Sequence, residues 1–321
     1  MQSRIVRRVG LVSLLLSLAA GLVSLSVDAK EKSVRPAASK AAALAEIRLI
    51  VVGDDTGAMQ GINEGTVAAH RYGILTDTNV IVPGPWFPHI VRLSQEYPNL
   101  GFGVHLALTS EWETIKWRPL TYAKTLVTAD GYFPPMVWPN PGYPPGNSLK
   151  EMQPNLAEVE RELRAQITLA RRHIPRVSYV WQHMGLSSYS KDVQAIVRKL
   201  SEETGLPDLA DILKALDVKG VGSVELPAPL KDSLKDATPV ERLVARLEHL
   251  GPGTWMAGGH LAIDSPEMRA IGHAGSDGVA AERSREAAEY SDPRVKAVVA
   301  RRGIKLIPVS VLAAEYLARK R

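Results

Sequence analysis

Four short segments carry residues that can do chemistry together. An apolar run at 47–52 ends in Gly53-Asp54-Asp55, a run at 101–108 holds His105 between Val104 and Leu106, a run that starts at 177 is closed by His183, and a run at 254–259 is closed by His260. Two adjacent carboxylates with two or three imidazoles suit a borderline divalent ion such as zinc, and cobalt, nickel, manganese and magnesium are also compatible. The chain has no cysteine, which excludes disulfides, thiolate ligands and cysteine nucleophiles. An ion held by one carboxylate and two imidazoles keeps positions open, and on zinc the pKa of a water there falls to about 7. The other carboxylate takes the proton as that water attacks, the ion polarises the acyl oxygen, and a protonated histidine opposite donates to the leaving amine. These residues therefore suffice for metal-assisted amide hydrolysis. Each also has a plainer reading when taken alone: a turn or helix cap for Asp54-Asp55, a hydrogen-bonded core residue for His105, a turn residue for His260 after Gly258-Gly259.

The elements that must position these groups alternate in type. Strands are expected at 47–52, 77–82, 101–108, 177–181, 254–259 and 304–307. Helices are expected at 61–72, 87–97, 155–173, 192–203 and 295–302, with Gly73 stopping the first and Asn155 and Glu158 forming a capping-box-like pair at the third. Strands alternating with helices imply a mostly parallel sheet covered by helices, and the number of units fits a distorted (β/α) TIM-like barrel. Active sites of such barrels lie at the C-terminal ends of the strands, so Asp54, Asp55, His105, His183 and His260 are expected to face one mouth. The stretch 112–147 breaks the rhythm. It carries Trp112, Trp117, Tyr122, Tyr132, Phe133, Trp138 and Tyr143 among prolines and glycines, and reads either as a lid packed on the barrel or as aromatic faces for sugar rings. His70, His89 and His173 fall on expected helices and His249 follows one, away from the strand ends; His273 lies in a loop not far from His260.

Arg4, Arg7 and Arg8 precede an apolar run at 9–27, and Val27-Asp28-Ala29 offers a small-x-small cleavage site. This is the pattern of a signal peptide over 1–29, with a periplasmic or secreted product and no stable membrane insertion after cleavage. Residues 30–45, rich in Ala, Lys and Ser, read as a linker, and 46–321 as a single domain. The net charge of +5 is carried partly by the two ends, and no basic stripe interleaves with aromatics, so nucleic acid is not an expected partner. A homo-oligomer is compatible with the sequence.

Several motifs together resemble one family. Gly53-Asp54-Asp55-Thr56-Gly57 followed by Gly61-Ile62-Asn63-Glu64-Gly65 is similar to the opening Asp-Asp-Phe-Gly and Asn-Glu-Gly motifs of the YdjC-like carbohydrate deacetylases, which include chitooligosaccharide and hopanoid-biosynthesis deacetylases. Gly103-Val104-His105-Leu106-Ala107-Leu108-Thr109 resembles that family's Gly-Val-His-Leu-Thr-Leu-Thr. Ser110-Glu111-Trp112, Trp117-Arg118-Pro119-Leu120, Asp130-Gly131-Tyr132-Phe133 and Gln182-His183-Met184-Gly185 resemble one of its branches. Gly259-His260 falls at its His-Pro-Gly, and Arg285-Glu286 and Ser291-Asp292-Pro293 resemble its C-terminal part, so the likeness runs from about Ile47 to Leu312. The resemblance implies a distorted barrel distantly similar to polysaccharide deacetylases. It also implies a divalent ion, zinc or magnesium foremost, on Asp55, His105 and His183, with Asp54 as the base that activates water and His260 as the general acid. Three departures stand out. Thr56 replaces Phe; Trp181 replaces the Asp before Ser-His, removing a contact that would orient His183; and Leu261-Ala262 replaces Pro-Gly. The expected function is removal of N-acetyl groups from an amino sugar or glycoconjugate. The alternatives are a non-catalytic carbohydrate-binding protein on the same fold and an O-acetyl esterase.

Overall fold

β1, Ile47–Thr56, lies at the centre of the sheet, and its composition accounts for that place: Leu49, Ile50, Val51 and Val52 are all buried, as a strand covered on both faces requires. The computed structural model describes residues 46–273 and 276–320, and the expected leader and linker lie outside the described residues. β2 is Asp77–Val80, β3 Gly101–Leu106, β4 Val177–Gln182, β5 Lys219–Gly220, β6 Gly253–Gly259 and β7 Lys305–Leu306. The pairing order is β4-β3-β2-β1-β6-β5, and every pair is parallel. One edge of β1 serves two partners: β7 pairs Arg48 and Leu49, and β2 joins from Val52 onward. A bridge between Val180 and Asp208 extends the path beyond β4. The chain thus forms the parallel-sheet α/β fold expected from the alternation.

The two faces of β1 feed different cores. Leu49 and Val51 join Val80, Phe102, Val104 and Val180 in a large cluster with Ile62 of the helix Gln60–Tyr72 and Leu163 of the helix Leu156–His173. Ile50 and Val52 join Tyr179 in a second cluster, closed by Leu209 and Ile212 of the helix Leu209–Ala215 and by Val309, Leu312 and Tyr316 of the helix Val309–Lys320.

On this second face β3 contributes almost nothing until its end. A Cβ on Gly101 would stand 2.0 Å from Asp77 Oδ1, and one on Gly103 2.2 Å from the Tyr179 ring. Two positions without side chains therefore make room for a buried carboxyl and a buried phenol, and the next position on that face is His105.

Several elements differ from expectation. β1 runs on to Thr56 instead of stopping at 52, because the Asp54-Asp55 pair lies within the strand. Asn155 does cap its helix, accepting from Ala157 and Glu158 N–H, but the Glu158 carboxylate accepts from Thr125 instead of closing a box. The helices Pro239–Glu248, Val279–Ser291 and Val309–Lys320 were not read from the pattern. No helix among the described residues is long and apolar enough to cross a membrane.

Candidate active site

A regular strand would send Asp54 and Asp55 to opposite faces. The β1–β2 register shows how they escape this: Gly53 pairs with Thr78 and Thr56 with Val80, so β1 spends one more residue than β2 over the same interval. The extra residue is a bulge, and Asp55 takes φ +67, a left-handed conformation that Asp tolerates better than most side chains. The exit from the bulge is pinned by Asn63, whose Oδ1 accepts from Gly57 N–H at 2.7 Å while its Nδ2 donates to Trp86 O at 3.1 Å. His183 reaches the site by a comparable device. It begins the turn His183–Gly185 directly after β4, where Met184 has φ +51 and Gly185 φ +66.

Three of the five expected residues converge on the carboxylate of a fourth. Asp55 Oδ1 lies 3.4 Å from His105 Nε2 and 3.3 Å from His183 Nδ1, and all three side chains are buried. His260 Nε2 stands 3.8 Å from Asp55 Oδ2 and is half-exposed. Asp54 accepts a hydrogen bond from Asn79 Nδ2 and lines a cleft of about 300 Å³ together with His105, His183 and His260.

Two further residues belong to the site. Arg283 Nη1, buried on the helix Val279–Ser291, donates to Asp55 Oδ2 at 2.9 Å. Glu111 lines the cleft, with Oε2 3.9 Å from His183 Nε2 and Oε1 4.0 Å from His273 Nε2. Arg283 was missed because its helix shows no clean apolar stripe and lies 228 residues from Asp55. The signal available was its spacing: Arg283 stands three residues after Ala280 and four before Ala287, on the helix face that these small residues share. In the sequence, Glu111 is marked only by its place in the Ser110-Glu111-Trp112 motif. It supplies the carboxylate nearest the second nitrogen of His183, where Trp181 leaves none.

The charges are arranged to keep Asp55 ionised. Burial alone would raise its carboxyl, but the Arg283 guanidinium, the His105 and His183 imidazoles beside it, and the charge of His260 hold it well below the usual carboxylate range. Burial likewise opposes charge on His183, yet Asp55 and Glu111 lift its pKa above the ordinary imidazole value. Burial is also the main cause of the raised pKa of Glu286, which accepts His260 N–H at 2.6 Å.

The residues fit a divalent ion. Asp55 Oδ1 is buried without a hydrogen-bond partner although two imidazole nitrogens stand near it. Two donors each about 2.0–2.1 Å from a tetrahedral ion are about 3.3–3.4 Å from one another, the separation seen here. One donor atom from each of Asp55, His105 and His183 lies within 4.8 Å of the others.

The aromatic loop is largely a packed lid. Trp112, Trp117 and Phe133 are buried, and Glu162 anchors the loop by accepting from Leu120 N–H, Thr121 N–H and the Thr121 hydroxyl. Trp112 carries the Arg283 guanidinium 5.0 Å over its ring and stacks on His273 at 5.5 Å. Of the loop's aromatics, Tyr122 and Trp138 are the exposed ones. Leu261 and Ala262, in place of Pro-Gly, are buried, and the backbone of Ala262 would stand 2.5 Å from a Cβ on Gly65.

Comparison with known proteins assigns the class. The YdjC-like protein family model matches residues 48–301, and the chain belongs to that family. It is 34% identical over 183 residues to carbohydrate deacetylase 2 of Listeria innocua serovar 6a, a match covering 56% of this chain and 64% of that relative, so the chain spans a little under two thirds of that protein's length. It is 26% identical over 264 residues to a carbohydrate deacetylase of Geobacillus stearothermophilus, covering 80% of this chain and 95% of the relative. A solved structure from Enterococcus faecalis V583, named for cellobiose-phosphate cleavage, shares the fold with a TM-score of 0.60 and 21% identity over 83% of this chain and 99% of that one.

Proposed function

We propose that this protein is an exported, metal-dependent hydrolase that removes N-acetyl groups from an amino-sugar or glycoconjugate. The observation that carries the reading is the convergence of Asp55, His105 and His183, with Asp54 and His260 on the same cleft. Relatives named carbohydrate deacetylase support the reaction class. The basic start and following apolar run support export to the periplasm or beyond.

Asp55, His105 and His183 would hold the ion, zinc or magnesium foremost. A bound divalent ion supplies Lewis acidity, polarising an acyl oxygen and acidifying water. Asp54, fixed by the Asn79 amide, takes a proton from the attacking water as the new C–O bond forms. His260 gives a proton to the nitrogen as the C–N bond breaks, so the products are acetate and a free amine. Arg283 keeps Asp55 ionised and aimed, and the Glu286 carboxylate fixes the backbone that carries His260. An ester would be cleaved by the same groups, and a panel of N- and O-acetylated sugars separates the two activities.

The test is acetate release from that panel before and after chelation. Activity on N-acetyl sugars is expected to vanish with the ion and return when zinc or magnesium is restored. A fully chelated protein that keeps its turnover, or a metal-loaded protein that releases no acetate, refutes the proposal.

A further inference from the structure

Trp181 stands on β4 at the cleft. It pairs with His105 across β3 and β4, so both side chains lie on the second face of the sheet, His105 as a candidate metal ligand and Trp181 along the same cleft. Its inner side packs against the second core cluster near Tyr179, which holds the indole in place, while the ring remains partly exposed. Trp181, Met184 and Ala210 form an apolar stretch of the cleft lining, and Asp54, His105, Glu111, His183 and His260 supply the polar part. Gln182, the next residue of β4, lines the same cleft and donates through Nε2 to the Asp208 carboxylate, which leaves Oε1 as its free acceptor. That Oε1 is buried without a partner. A flat apolar face and an unused acceptor in one cleft match a pyranose ring, which offers an apolar face of C–H groups and an equatorial rim of hydroxyls. The cleft, at about 300 Å³, is at the small end of ligand pockets, with room for one ring and its acyl arm.

We infer that Trp181 is the platform on which the reacting sugar ring stacks, with Gln182 Oε1 accepting from a ring hydroxyl, so that an aromatic residue of the cleft determines specificity. The assignment rests on the deacetylase reading and adds the orientation of the substrate: one sugar residue enters, its apolar face on the indole and its N-acyl arm toward Asp55.

The test compares Trp181→Phe, which keeps a flat face, with Trp181→Leu, which keeps apolar packing and removes the face. Both are loaded with zinc, and their metal content and Tm are measured. Binding of N-acetylglucosamine and its β-1,4-linked dimer and trimer is read by calorimetry, and acetate release gives KM and kcat. Trp181→Leu is expected to raise Kd and KM about tenfold with kcat lowered less than about threefold, and Trp181→Phe to stay within about threefold of the parent on both. A merely structural Trp181 predicts that the two variants track their Tm values and leave KM alone. If the parent deacetylates these sugars and Trp181→Leu keeps its KM, the platform is refuted while the hydrolase reading stands. If the parent binds them with the expected variant pattern but releases no acetate, the hydrolase reading fails and the platform stands. A parent that neither binds nor deacetylates them refutes the platform for this substrate class.

Discussion

The two ends of β1 obey different rules. From Leu49 to Val52 every side chain is buried and apolar, alternating between two cores in regular pairing with β6. From Gly53 to Thr56 the register breaks, one residue turns left-handed, and two adjacent carboxylates appear. The first end gains stability from area removed from water, which asks only for apolar character and fit. The second end places charge where it is costly and accepts strain to aim it. Of the four non-glycine residues with positive φ among the described residues, Asp55 and Met184 are both at this rim. Such conformations cost on the order of 1–3 kcal/mol each, and they persist where the surroundings impose them, here the Arg283 ion pair and the Asn63 pin. The body of the sheet is therefore where substitutions should unfold the protein, and the rim is where they should silence it.

The sharpest way to break that contrast is at the rim. His105→Ala is expected to abolish metal retention and lower acetate release by about 10³-fold or more, while Asp54→Asn keeps the ion and lowers turnover by about 10²–10⁴-fold. Metal analysis beside acetate assays on both variants checks this. An Asp54→Asn protein with full turnover would remove Asp54 from its place as base, and an His105→Ala protein that keeps its ion would dissolve the metal site. Next in size is the body. Leu49, fully buried, should cost about 2–5 kcal/mol of stability as Leu49→Ala, while the folded fraction keeps its kcat. Denaturant unfolding with active-fraction kinetics measures both, and a stable but inactive variant would contradict the division.

The smallest effect concerns the boundary between the two regions. Asp77, at the start of β2, accepts Val309 N–H, and burial lifts its carboxyl to about 7. Its folded pKa is raised above an unfolded value of about 3.9. The folded state therefore holds a proton that the unfolded state has released, and this contribution to stability is full below about pH 4 and is lost as pH rises through about 7. Asp77→Asn cannot titrate and can still accept from Val309. Its Tm should fall less than that of the parent between about pH 4 and 7. Parallel Tm–pH curves for the two proteins would show that Asp77 does not titrate in this window.

Much of the rim was legible before any coordinates. His183 and His260 follow apolar runs that end where β4 and β6 end, and His105 is flanked by Val104 and Leu106, so the rule that parallel strands aim their C-terminal ends at the site was enough to group them. Asp54 and Asp55 also stand at this rim, by a device that the apolar run does not show. The run was expected to stop at Val52, whereas the strand continues and a bulge brings both acids to the mouth. Arg283 and Glu111 were not legible as site residues. One sits on a helix without periodic apolar spacing and the other in a loop, and neither carries a local mark of the residue it faces. The aromatic loop was half legible, since its burial was one of two readings, and the buried Trp112, Trp117 and Phe133 favour the lid.

The sequence by itself determined where six of the seven described strands lie, which ends bear ionisable groups and which family the chain resembles, because apolar runs and motif spacing are local properties written in consecutive residues. Only the tertiary structure decided that Arg283 neutralises Asp55, that Gly101 and Gly103 are bare to admit Asp77 and Tyr179, and that Trp181 faces the cleft. Those facts depend on register and on contacts between residues far apart in the chain, and no local pattern encodes which side chain a folded sheet brings within a few ångströms of another.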